Sequence, residues 1–260
     1  MTHKQVIALD VNNVSVAYGG GRLALRQASL QVQGGSVCGL VGMNGSGKST
    51  LFKTVMGFLP PLRGTVQVFG QPVIRAQKAG LIAYVPQSED VDWNFPVSVR
   101  EVVMMGRQGK MGWLRRPNAV DETLVEESLE RVGMSAFMNR QIGELSGGQR
   151  KRAFLARALA QEGRLLLLDE PFGGVDVGTS EAIIALMGEL RREGRSMLVS
   201  THDLGTLETF CDEVALIADR TVLLYGPTDE VLTADNLAAT FGGRSPLHAQ
   251  PSAKRVEVRP

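Results

Sequence analysis

The sequence predicts an α/β fold with a mostly parallel sheet, an antiparallel β layer at the N-terminus and an inserted helical subdomain. Three observations carry that reading. The glycine-rich stretch Gly42-Met43-Asn44-Gly45-Ser46-Gly47-Lys48-Ser49-Thr50 lies between a short apolar run and an amphipathic one, as strand, loop and helix. Leu165 to Leu168 is a continuous apolar run, as in a strand buried on both faces. Residues 88–142 intersperse charges with Met and Leu at helical spacing, most clearly from Glu122 to Val132.

In chain order, residues 6–34 read as β-rich. Val14, Val16 and Tyr18 alternate with Ser15 and Ala17, predicting a half-buried strand, and Gly19-Gly20-Gly21 predicts a turn. Leu25 to Val32 is a second strand, followed by a turn at Gln33-Gly34-Gly35. Ser36 to Val41 leads into the glycine-rich loop, and Leu51 to Met56 is the helix that leaves it and stops at Gly57. Thr65 to Phe69 and Leu81 to Val85 read as strands, with a turn at Gly70-Gln71-Pro72. A helix at 150–162 puts Phe154, Leu155, Ala158 and Leu159 on one face, so the inserted subdomain spans about 88–162. Ala182 to Arg192 and Leu204 to Cys211 read as helices, and Ser196 to Ser200 as a strand. Val214 to Ala218 and Val222 to Tyr225 form a hairpin turning at Asp219-Arg220. Residues 1–243 then make one domain, and the basic, apolar-poor segment 244–260 is expected to be a disordered tail.

Composition narrows the class. The chain has 260 residues, is 43% hydrophobic and 21% charged, and carries a net charge of +1. That balance gives no general basic field for nucleic acid. No apolar run reaches the length of a membrane span, and no apolar core follows Met1-Thr2-His3-Lys4-Gln5 as in a signal peptide. A cytoplasmic chain is therefore expected, with any membrane role coming through partner chains. Cys38 and Cys211 lie in apolar segments and read as buried, reduced thiols.

The chemistry sits in six places. The loop fits G-x-x-x-x-G-K-[ST]: its glycines let Gly42, Asn44, Gly45, Ser46 and Gly47 turn backbone N–H groups toward a polyphosphate. Lys48 brings charge to the outer phosphates, Ser49 offers a hydroxyl to Mg²⁺, and Thr50 opens the helix whose dipole favours the anion. Asp169, ending the apolar strand, is placed to hold Mg²⁺, and Glu170 to polarise an attacking water. His202, after the strand 197–200, is within reach of a γ-phosphate, although a lone histidine is more often structural. Gln87 after Pro86 offers an amide to Mg²⁺ or water, and Tyr18 a ring for adenine. Leu145-Ser146-Gly147-Gly148-Gln149 precedes the helix at 150–162 and makes a second anion-receiving helix end.

Together, and in this order, these motifs resemble the ATP-binding cassette (ABC) transporter ATPase subunits, from about Val6 to about Gly243. The resemblance implies a P-loop NTPase core that hydrolyses ATP with Mg²⁺ as a head-to-tail homodimer. Each ATP would lie between the phosphate loop of one copy and Ser146, Gly147, Gly148 and Gln149 of the other. It implies Glu170 as general base, His202 as γ-phosphate contact and Gln87 as the link to membrane-spanning permease subunits. Asp176 would cross the dimer interface. Gly174 and Val175 depart from the family's Ser-Ala-Leu-Asp, so only Asp176 is carried over.

The stretch Asp92-Trp93-Asn94-Phe95-Pro96 resembles ATPases of bacterial manganese, zinc and iron importers. Two aromatics beside a proline turn make either a rigid anchor for a permease helix near Gln87–Pro96 or core residues of the helical subdomain. Glu89, Asp90 and Asp92 lack histidine or cysteine company and read as a solvated turn. The implied system would place the chain on the inner membrane face, coupled indirectly to an extracytoplasmic solute-binding protein. The rivals are a non-transport cassette ATPase acting on nucleic acid or ribosomes, an importer of a non-metal solute, and a small-molecule kinase. The sequence has no sustained heptads and no concentrated basic patch. A kinase would leave Leu145–Gln149 unexplained.

Overall fold

The computed structural model describes residues 6–19, 21–87 and 95–242. Two long strands, β1 (Ile7–Ala17) and β2 (Leu23–Gln33), pair antiparallel and open an antiparallel layer. β3 (Val37–Val41) then runs into the glycine-rich loop and α1 (Lys48–Val55). β4 (Arg63–Val68) returns to pair with β1, and β5 (Gln71–Pro72) adds a short fourth strand before α2 (Val73–Lys78). The turn expected at Gly70–Pro72 is thus partly a strand, and α2 was not foreseen because six residues carry too little periodicity.

β6 (Ile82–Val85) leads to the helical layer: α3 (Val99–Met104), α4 (Ala119–Arg131) and α5 (Gly147–Ala160). Ser98 with Glu101, and Asn118 with Asp121, close reciprocal caps at the N-termini of α3 and α4. Between them Arg107, almost fully buried, donates to Asp121 Oδ1 (3.0 Å), Glu162 Oε2 (2.6 Å) and the Ala160 carbonyl (2.7 Å). That network ties the α3–α4 connection to the end of α5.

The chain then alternates β7 (Leu165–Asp169), α6 (Val177–Arg192), β8 (Ser196–Thr201), α7 (Leu204–Phe210) and β9 (Glu213–Ala218). β10 (Thr221–Pro227) closes a hairpin through Asp219 and Arg220, both at positive φ as a two-residue turn requires. α8 (Thr228–Val231) and α9 (Ala234–Phe241), which the sequence reading left blank, follow. The six-stranded sheet has the order β10-β9-β3-β8-β7-β6, parallel except for β10.

β7 explains the apolar run. Its five residues are buried, and the period of two divides them between two cores. Leu166 and Leu168 face the helices, with Phe154, Leu155 and Leu186. Leu165 and Leu167 face α1 and the antiparallel layer, with Phe52, Leu9 and Leu30. Alternation in β1 is less regular than expected. Ser15 is buried as well as Val14 and Val16, because the pairing with β2 shifts there and Ser15 Oγ accepts from Gln27 N at 3.0 Å.

Three helices start earlier than expected: α1 at Lys48 rather than Leu51, and α5 and α6 through side-chain capping. α5 begins at Gly147 rather than at 150, because Ser146 and Gln149 form a reciprocal cap that overrides the poor helix propensity of two glycines. α6 begins at Val177 rather than at 182, because Asp176 caps it through Thr179. Trp93 and the tail 244–260 lie outside the described residues, whereas Phe95 is 58% exposed rather than part of the core. Cys38 is buried and Cys211 half-buried, both as free thiols. No described helix is long and apolar enough to cross a membrane.

Candidate active site

Parallel strands deliver the candidate residues to one edge. The glycine-rich loop follows β3, Glu170 follows β7, His202 follows β8 and Gln87 follows β6, each at a C-terminal strand end. The loop's backbone is fixed by close approach. A Cβ at Gly42 would stand 2.2 Å from the Ile217 carbonyl oxygen, and Gly47 adopts φ 115° against Leu25. Gly47 is also the N-cap of α1 and has no side chain to offer, so the first-turn N–H groups stay open to an anion. Lys48 is buried, and its Nζ donates to the carbonyls of Gly42 (2.7 Å) and Met43 (3.3 Å). Burial lowers its pKa, opposed by the carboxylates of Glu170 and Asp169. Ser46 Oγ is buried and has no partner among the described residues.

A pocket of about 590 Å³ opens beside this loop. It is lined by Tyr18, Asn44, Gly45, Gly47, Lys48, Ser49, Thr50, Gln87, Asp169 and Glu170. Tyr18 is 45% exposed, with its hydroxyl 3.4 Å from Thr50 Oγ1. The open amides, the buried ammonium and the exposed ring fit a nucleoside triphosphate. Asp169 and Ser49 both line this pocket, and such hard oxygen donors suit Mg²⁺. Burial raises the Asp169 pKa above the usual aspartate range, the Ser200 hydroxyl bond opposes that, and Glu170 adds to it.

Glu170 is buried and adopts a left-handed backbone at φ 52°. Its N–H is shared between Ser200 O (3.1 Å) and Ser200 Oγ (2.9 Å), and the same hydroxyl donates to Asp169 Oδ1. Glu170 Oε2 meets His202 Nδ1 at 2.8 Å, while the His202 side chain remains 69% exposed. The histidine read as ambiguous in the sequence is thus paired with the candidate base.

Two residues here were not singled out from sequence. Ser200, on the neighbouring strand β8, donates to the Asp169 carboxylate and accepts from the Glu170 backbone N–H. Lys151, in the second turn of α5, donates from Nζ to the carbonyls of Glu170 (2.9 Å) and Gly173. Burial lowers its pKa, against the pull of Glu170. A cation two residues after Gln149 was the only sequence signal for it.

Ser146, Gly147, Gly148, Gln149 and Asp176 do not line this pocket. They form a second cluster, in which a Cβ at Gly148 would lie 3.8 Å from Val175 and 4.0 Å from Asp176 Oδ2. Ser146 Oγ accepts from Gln149 N (3.3 Å) and Gln149 Oε1 accepts from Ser146 N (3.0 Å). The Gln149 side-chain oxygen therefore caps its own helix. The Asp176 carboxylate accepts from Thr179 N (2.9 Å) and Thr179 Oγ1 (2.8 Å) in the same way. Within one chain the two clusters are separate surfaces.

A phosphate-cradling loop, a buried aspartate beside its serine hydroxyl and a histidine-paired glutamate define a nucleoside triphosphatase of the phosphate-loop class. The profile described as ABC transporter matches residues 25–173. The chain is 57% identical over 250 residues to the manganese transport system ATP-binding protein MntA of Synechocystis sp., covering 96% of each. It is 58% identical over 235 residues to the chelated iron transport system membrane protein YfeB of Yersinia pestis, covering 90% of this chain and 79% of that one. Among solved structures, an ATP-binding cassette in its ADP conformation superposes with a TM-score of 0.79 at 25% identity, over 92% of this chain and 99% of that one. This chain belongs to the ABC transporter family, and it binds and hydrolyses ATP.

Asp169→Asn is expected to stabilise the fold near neutral pH while abolishing hydrolysis. A carboxyl held above its ordinary range by burial binds its proton more tightly folded than unfolded. Stability is therefore greatest below the ordinary aspartate pKa, falls as pH rises through the window up to the raised value, and stays lower above it. Asparagine carries no charge to bury and still accepts from Ser200. Its gain in thermal midpoint should be present at neutral pH and shrink in acid; a gain independent of pH would refute the account.

Lys151→Met keeps the length of the side chain and removes both donated bonds. We expect kcat to fall by about tenfold with the KM for ATP changed less than about twofold, since Glu170 is moved while the phosphate cradle is not. Steady-state phosphate release measures both, and an equal rise in KM would count against it.

Proposed function

We propose that this chain is the ATP-hydrolysing subunit of an importer for a transition-metal ion, namely manganese, iron or zinc. The observation that carries the reading is the identity of 57% over 96% of the chain with a manganese transport system ATP-binding protein. A zinc transport system ATP-binding protein, TroB of Treponema pallidum, is 40% identical over the same share.

Tyr18 stacks on adenine, and the amides from Gly42 through Thr50 with Lys48 hold the phosphates. Ser49, Asp169 and Gln87 hold Mg²⁺, which when bound neutralises charge on the β- and γ-phosphates. Glu170 orients the attacking water and accepts its proton, while His202 contacts the γ-phosphate. Ser46 and the glycines of the loop shape the cradle. A second copy, packed head to tail, supplies Ser146, Gly147, Gly148 and Gln149 to the same nucleotide, with Asp176 at the interface. The separation of the two clusters within one chain supports that arrangement, because neither surface alone encloses a triphosphate.

Residues 1–243 act as one domain, with the helices of about 88–162 as its inserted subdomain and 244–260 as a tail. Permease subunits dock near Gln87–Pro96. Exposed Phe95 supports this. The chain then works in the cytoplasm on the inner membrane face, coupled only indirectly to a solute-binding protein and to no nucleic acid. Closure of the pair on ATP drives the permeases, and hydrolysis reopens it.

Uptake of radiolabelled manganese, iron and zinc by cells with and without this subunit is the test. Loss of uptake of one of these ions, restored by the wild-type chain, is the expected result. Unchanged uptake of all three would overturn the metal assignment and leave the ATPase intact.

A further inference from the structure

The connection from α3 to α4 carries a surface that ATP chemistry does not use. Its base is fixed by the buried Arg107 network and by the Asn118 cap of α4. Between them the Arg115 N–H donates to the Gly112 carbonyl at 2.9 Å, closing a turn with Trp113 and Leu114 at its tip. Trp113 is 95% exposed and Leu114 66% exposed. Lys110, Arg115 and Arg116 flank the tip, all exposed, and among the described residues none of them has an ion-pair partner. No aspartate or glutamate occurs between Glu101 and Asp121.

We propose that the 110–116 turn touches an anionic lipid surface, with Trp113 and Leu114 at the headgroup level and Lys110, Arg115 and Arg116 against lipid phosphates. Indole is suited to that boundary, being an apolar body with one N–H donor. Cations without neighbouring carboxylates fit a diffuse negative surface. A single protein partner would instead offer fixed carboxylates and a shaped pocket. The placement agrees: Met105, Gly109 and Lys110 border the same groove as Phe58 and Tyr84. One apolar tip with three charges gives reversible contact rather than an anchor. The turn therefore orients a subunit that its permeases already hold.

The inference rests on the transporter reading only for its purpose, since lipid contact is measured without permease or ion. The purified full-length chain is sedimented with vesicles of phosphatidylcholine alone and of phosphatidylcholine mixed with phosphatidylglycerol. Wild type should pellet with the anionic vesicles alone, should be released by salt, and should not be released by an equal ionic strength of chloride more weakly than by inorganic phosphate. The paired variant Arg115→Glu with Arg116→Glu should lose binding by about tenfold or more, and Trp113→Ala by a smaller factor, with ATP hydrolysis unchanged. Equal binding to neutral vesicles, or unchanged binding by both variants, would overturn the proposal. So would selective release by inorganic phosphate, which marks a free-anion site. Loss of permease co-purification in detergent by the charge-reversed variant, with vesicle binding intact, would assign the turn to protein instead.

Discussion

Glu170→Gln is expected to lower ATP turnover by about two to four orders of magnitude while ATP binding persists, the scale of losing a positioned general base. Glutamine has the same shape, so the left-handed turn and the bonds from the Glu170 backbone N–H to Ser200 are retained. What disappears is an oxygen able to take a proton from water. The phosphate cradle is untouched, so the nucleotide should remain bound and hold the proposed pair closed. Phosphate release gives the rate, and size-exclusion chromatography with ATP gives the trapped dimer. Turnover at the wild-type rate would remove Glu170 from this role and direct attention to His202, its partner at 2.8 Å.

Lys48→Ala should act at the earlier step. A hydrogen bond from a charged group contributes about 1.5–3 kcal/mol. Its loss corresponds to an ATP Kd weaker by roughly 10- to 150-fold. The ammonium is buried, with a pKa lowered chiefly by that burial, and its bonds run to the loop carbonyls of Gly42 and Met43. Removing it relieves a desolvation cost as well as two bonds, so the thermal midpoint should change little. Calorimetric titration with ATP separates weak binding from misfolding. Unchanged affinity would contradict the phosphate-loop assignment.

What was legible in the sequence was local. The loop from Gly42 to Thr50 declares itself because its chemistry depends on neighbours in the chain. The run Leu165–Leu168 does so because burial on both faces removes polar residues from both periods. Contacts made across the sheet leave no such mark. Ser200 read only as the end of a strand, yet its hydroxyl bonds the Asp169 carboxylate and the Glu170 backbone N–H, about thirty residues away. Lys151 read as one more charge on an amphipathic helix. α5 and α6 start earlier than their apolar periodicity because the caps Ser146 and Asp176 draw Gly147, Gly148 and Gly178 into the first turns. α2, α8 and α9 are too short for periodicity to speak. The joining of Tyr18, Gln87 and Glu170 in one pocket is a consequence of strand order, which a chain read in one dimension does not state.

Lys151 has a consequence for timing. Its stem rises from the helix whose tip carries Gly147 and Gly148, and its amine grips the turn that bears Glu170. In the proposed pair, that tip belongs to the neighbour's nucleotide and that turn to its own. A displacement at either end then reaches the other through the Lys151 side chain and its two bonds. The two combustion chambers of such an engine would fire in correlation, and cutting that link should let them run independently.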